Sequence, residues 1–140
     1  MAMKTRVISL RLKRGPAARL ERLAKILRRS MGETAALLLE EKLQEEEFAF
    51  IEFRDSSVGR QAYIQGTSLA VWEVMLVAGD LDMDVSKVAR HLDWPVEKVH
   101  AAFAYAAASR DNIEPILEGV RSLSVEDLQS ILPWVREVTT

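Results

Sequence analysis

The stretch that most limits what this chain can become is Thr5 to Pro16, TRVISLRLKRGP. Polar and apolar residues alternate along it. A period of two puts Ile8, Leu10 and Leu12 on one face and Val7, Ser9 and Arg11 on the other, the pattern of a half-buried strand that ends at Gly15-Pro16. A strand without a neighbour leaves its backbone N–H and C=O groups unsatisfied. The rest of the chain reads as mainly helical, so the expected partner is the same strand of a second copy.

The 140 residues are 49% hydrophobic and 29% charged, which suits two small domains with cores of their own. The absence of cysteine excludes disulfides and cysteine-based metal sites and is compatible with a reducing compartment. No apolar run approaches the roughly 18 residues of a membrane span, and the N-terminus lacks the apolar stretch of a signal peptide. A cytoplasmic location with no membrane partner is expected. The net charge of -2 conceals an asymmetry: residues 1–30 hold ten Lys or Arg against Glu21 alone, a balance of +9, and the remainder of the chain stands at -11. One end is suited to a polyanion and the other is not.

Beyond the strand, Gly15-Pro16 opens a helix in which Leu20, Leu23, Ala24 and Leu27 form one apolar stripe, ending near Arg29. Ser30-Met31-Gly32-Glu33 has the form of a capping box and starts a second helix, Met31 to about Phe48, with an apolar face of Ala35, Leu38, Leu39 and Leu43. The acidic run Glu45 to Glu47 opposes the helix dipole, so fraying is expected there. A hairpin is expected from Phe48–Arg54 and Gln61–Gln65. Thr67 or Ser68 should then cap a helix over about Leu69 to Ala78, with Trp72, Met75 and Leu76 as core. Further helices are expected over Asp84–Leu92, Pro95–Ser109 and Asn112–Arg121, with another after Ser124 that Pro133 interrupts.

A basic strand followed by two helices within about 45 residues resembles the ribbon-helix-helix family of DNA-binding proteins, the Arc and MetJ type. The segments ISLRL with Gly-Pro and RRSMGETAALLLEEKL carry the likeness. The fold class it implies is mainly α: one strand pairing across a homodimer, with two helices behind it. Two antiparallel strands form a ribbon that fits the major groove of double-stranded operator DNA. Arg11 is then placed to contact guanine, Ser9 to donate or accept, and Val7, where the family usually carries a polar residue, to make only apolar contact such as with a thymine methyl. By the family's geometry Ser30, Met31 and Gly32 hold a phosphate at the second helix N-terminus. Arg6, Lys13, Arg14, Arg28 and Arg29 are phosphate candidates without sequence preference.

The stretch from Gly59 to Ile113 resembles the small hairpin-plus-helices domain known as domain of unknown function 433. Gly66-Thr67, Val71 to Val77, Val88-Ala89 to Leu92 and Val99 to Ala106 match its pattern. Fused to a DNA-binding N-terminus, such domains are associated with antitoxins of PIN-domain ribonuclease toxins. The two helices around Pro95 also have helix-turn-helix spacing. The would-be recognition helix begins PVEKVH in an acidic segment, which weighs against a second DNA reader.

His91 and His100, the only histidines, stand apart without a ligand spacing, so no metal or cofactor is expected. No nucleophile elbow, phosphate loop or paired catalytic carboxylates appear, and an enzyme is not expected. In the tail, Ile131, Leu132, Trp134 and Val135 form an apolar cluster suited either to anchoring a partner or to covering the domain's own core.

The expected organisation is a ribbon-helix-helix domain over 1–48, a hairpin-plus-helical partner-binding domain with a helix-turn-helix-like core over 49–122, and a tail over 123–140. The expected function is antitoxin and transcriptional autorepressor. A stand-alone ribbon-helix-helix regulator with an oligomerisation or ligand-sensing C-terminal domain is the alternative.

Overall fold

A computed structural model of the chain describes residues 5–123, Asp127 and Ser130. Among the described residues it is mainly helical with one small sheet: α1 (Arg14–Leu27), α2 (Met31–Glu47), β1 (Ile51–Ser56), β2 (Gly59–Ile64), α3 (Val71–Gly79), α4 (Val85–Leu92), α5 (Val96–Ala108) and α6 (Arg110–Arg121). The chain divides into two compact units, Met1–Lys42 and Leu43–Thr140.

In the first unit, Pro16 lies in the first turn of α1, where backbone N–H groups have no intrahelical acceptor and a missing one costs little. The helix stops when Arg28 turns left-handed at φ 56°, ψ 44°. The Arg28 N–H donates to the Lys25 carbonyl at 3.2 Å and the Arg29 N–H to the Ala24 carbonyl at 3.0 Å, the two bonds of a Schellman ending. Ser30 then starts α2, its Oγ accepting the Glu33 N–H at 3.0 Å. Thr34, fully buried, donates its hydroxyl to the Ser30 carbonyl at 2.8 Å. The helix runs unbroken through the acidic stretch to Glu47, where fraying was expected.

Residues 5–12 form no strand within the chain. The physical reason is plain: a β-ladder needs a second backbone, and the strands that pair here, β1 and β2, pair with each other. The strand expected over this segment is thus not formed in the single chain.

The second unit is built on a hairpin in register Ile51↔Ile64 to Ser56↔Gly59, closed by Ser57-Val58. Gly59 takes φ 97°, and the Ser56 hydroxyl donates to the Gly59 carbonyl at 2.6 Å. The hairpin's buried residues Ile51, Ala62 and Ile64 join α3, which packs against α4, α5, α6 and β2. Val71, Trp72, Val74, Met75 and Ala78 of α3 meet Val88, Val99, Ala102, Tyr105, Ile113, Leu117 and Val120 in one core. Neither Thr67 nor Ser68 caps α3. The helix begins after Ala70, whose N–H is accepted by the Glu73 carboxylate at 3.2 Å, while Thr67 braces the preceding loop by accepting the Leu69 N–H at 3.2 Å. Asp84 caps α4 by accepting the Lys87 N–H at 3.1 Å. Among the described residues, no helix is long and apolar enough to cross a membrane.

Candidate nucleic-acid interface

The first unit carries eleven Lys or Arg against four carboxylates. Arg6, Val7, Ser9, Arg11, Lys13, Arg14, Arg28, Arg29, Ser30, Met31 and Gly32 are all exposed. Within this unit's described residues, the ion pair on α1 is Lys25 with Glu21 at 3.9 Å, both well solvated, and such a pair contributes little. The arginines of residues 5–14 and of the α1–α2 turn face solvent, a positive field with little internal compensation.

The α1–α2 turn concentrates this field. The Ser30 hydroxyl takes the Glu33 N–H, and the Met31 and Gly32 N–H groups, being in the first turn, have no intrahelical acceptor at the positive end of the α2 dipole. Arg28 and Arg29 immediately precede them. Backbone donors and the helix dipole thus meet at this corner with two exposed arginines next to it in sequence, an arrangement suited to a phosphate.

The same unit has almost no core. Ala24 is the buried apolar side chain of residues 5–42, whereas Ile8, Leu10, Leu12, Ile26, Met31 and Leu39 are exposed. Leu10, Leu12, Pro16, Leu20, Leu23, Ala35, Leu38 and Leu39 line an open groove of about 560 Å³, with Arg19 at its edge. Leu10 and Leu12 line this groove, whereas Ile8, expected on the same face, and Val7, at 91% exposure, do not. A unit of this size with no disulfide and so little buried apolar area lacks the means to hold itself together alone.

In the second unit, α4 and α5 are joined through Asp93, left-handed at φ 55°, with the Trp94 N–H donating to the Ala89 carbonyl at 2.9 Å. The exposed side of α5 presents Val96, Glu97 and His100, and its single lysine, Lys98, donates to the Gln65 carbonyl at 3.2 Å. No free cation on that helix faces outward for phosphate. Ser86, Ala89, Arg90, Asp93, Trp94 and Val96 surround a second groove of about 460 Å³. The sequence marked Trp94 only as a turn residue; a half-buried tryptophan beside a helix corner was the signal for this groove.

Among the described residues no His, Asp or Glu cluster could hold a metal ion. His91 and His100 are exposed on separate helices. The apolar tail cluster Ile131, Leu132, Trp134 and Val135 lies outside the described residues.

The chain matches no family model, no curated protein and no solved structure. Its likeness to the ribbon-helix-helix and hairpin-plus-helices families rests on the residue patterns alone.

Proposed function

We propose that this chain is a dimeric DNA-binding regulator whose N-terminal segments pair across two copies into a basic ribbon that enters the major groove. The observation that carries this is the first unit's open apolar groove beside an alternating, unpaired and cationic segment. A second copy supplies what the unit lacks. Its strand satisfies the free backbone edge, and its leucines cover Leu10, Leu12, Leu20, Leu23 and Leu39, turning outward the face with Val7, Ser9 and Arg11. Arg11 reads a base edge, Ser9 assists it, and Arg6, Lys13, Arg14, Arg28, Arg29 and the N-terminus of α2 hold phosphates.

The second unit supports a partner-binding role, its acidic balance being suited to a basic protein surface. On its resemblance to the domain found in antitoxins, we propose that it neutralises a PIN-type ribonuclease encoded beside it, and that the dimer represses its own operon.

The full-length protein should sediment as a dimer and bind duplex DNA with log K falling against log salt at a slope of about -5, for about six phosphates neutralised. Arg11→Ala should lower specific affinity by about 1–3 kcal/mol while leaving the dimer intact. A monomer at micromolar concentration, or DNA affinity indifferent to salt, would refute the DNA-binding half. Co-expression with the neighbouring reading frame tests the other half: a stable complex that relieves toxicity is expected, and free, active toxin overturns it.

A further inference from the structure

We infer that Val7 is a specificity-determining residue that reads a pyrimidine C5-methyl group, so that the operator carries a thymine in each half-site opposite it. This rests on the DNA-binding reading above and names the base feature that the ribbon selects.

Val7 is the most exposed of the large apolar side chains described, at 91% against 63% for Leu10 and 48% for Leu12. Leu10 and Leu12 are accounted for, because they line the groove that a second copy covers. In the ribbon proposed above, Val7 has the opposite parity, shared with Ser9 and Arg11, and could not turn into that groove without turning those two in with it. It stands next to Arg6 in the most cationic part of the chain. Its side chain has neither donor nor acceptor, so it contributes nothing to a phosphate or to the hydrogen-bonding edge of a base. The apolar feature of the major groove is the C5-methyl, present on thymine and absent from the other three unmodified bases. A valine on the reading face is therefore complementary to one thing there. A bland role exists, in which a β-branched residue merely favours the strand, and it predicts no dependence on the base.

The test starts with selection of duplexes by the full-length protein from a random-sequence pool, followed by replacement of each thymine in the selected site with uracil, which removes one methyl and nothing else. One thymine per half-site should respond, with a Kd increase of about fourfold for one methyl and about 15-fold for both, as burial of one methyl predicts. Replacing that thymine by cytosine and then by 5-methylcytosine should lose affinity and then regain part of it. Val7→Ala should weaken binding to the thymine duplex by a similar factor and make it blind to the uracil exchange. If Val7→Ala fails to dimerise, Val7→Thr keeps the branched shape and should show a smaller thymine-over-uracil ratio than the parent.

Tolerance of uracil at every position, or a methyl effect undiminished in the variant, overturns the assignment while leaving sequence-specific DNA binding intact. Failure to select any sequence removes the DNA-binding reading itself, and this inference with it.

Discussion

The Tyr105 hydroxyl of α5 donates to Oε1 of Gln44, in the last turn of α2, at 3.0 Å across 61 positions of sequence. The Tyr105 ring also meets Phe48 edge-on at 5.4 Å and Phe53 at 6.2 Å. This cluster ties the acidic end of α2 into the second unit. It also explains why Glu45 to Glu47 stay helical although their charges oppose the dipole: tertiary packing outweighs an end effect of a few tenths of a kcal/mol.

Tyr105→Phe should therefore cost the second unit about 1 kcal/mol, the net value of one hydrogen bond, and Tyr105→Ala about 3–5 kcal/mol through the lost ring contacts. Trp72 and Trp94 belong to this unit and residues 1–42 hold no tryptophan, so urea titration followed by tryptophan fluorescence reports on the second unit rather than the first. Equal losses in the two variants would show that the ring packing contributes nothing.

Arg28 occupies a left-handed position that glycine adopts without a Cβ penalty. Arg28→Gly should stabilise the first unit by about 1 kcal/mol, seen as a rise in thermal midpoint by circular dichroism. If Arg28 holds a phosphate, the same change should weaken DNA binding and make the salt slope shallower by about 1. Opposite signs for the two measurements are the expected result; a gain in both would remove Arg28 from the interface.

Leu39 is 44% exposed in the single chain, so a change there disturbs little of the chain's own packing. Leu39→Asp should nevertheless abolish the dimer, because a carboxylate cannot be buried unpaired in the apolar groove it lines. Sedimentation should show a monomer with the tryptophan fluorescence of the second unit unchanged. A dimer of parental affinity would mean that the groove is not the contact between copies.

Glu73 is buried, and the loss of water around its carboxylate raises its pKa above the usual glutamate value, partly opposed by the Ala70 N–H that it accepts. The folded state then holds the proton at a pH where the unfolded chain has lost it. Stability from this group is greatest below the unfolded value and falls as pH rises through the raised folded value. Glu73→Gln keeps an acceptor for Ala70 and removes the charge. It should raise the thermal midpoint of the second unit at neutral pH, with the difference shrinking as pH is lowered. Parallel profiles for parent and variant would rule out burial of the charged form as a cost.

Much of the helical layout was legible because it is written in local rules. Ser30 with Glu33 and the Leu20, Leu23, Ala24, Leu27 stripe concern neighbours within one or two turns, and the helices they mark formed close to their expected bounds. The start of α3 was misplaced because Thr67 and Ser68 look like caps in isolation. In the fold, Thr67 is held in the loop by the Ile64 carbonyl, and the Arg54 guanidinium donates to its carbonyl at 2.8 Å while lying 4.8 Å from the centre of the Tyr63 ring. The Arg54 bond joins residues 13 apart and leaves no local trace in the sequence. The hairpin ends shifted for the same reason, Phe50 taking φ 62° while its carbonyl accepts the Gln65 N–H at 2.8 Å.

The sequence by itself determined the asymmetry of charge between the two ends and most helix starts and stops, since charge and capping depend on residues close in the chain. Tertiary structure alone decided that the end of α2 belongs with α5, that Glu73 is buried, and that Leu10 and Leu12 border an unfilled groove. Those outcomes depend on which surfaces meet and on how much apolar area one copy can cover, quantities that no single stretch of residues contains.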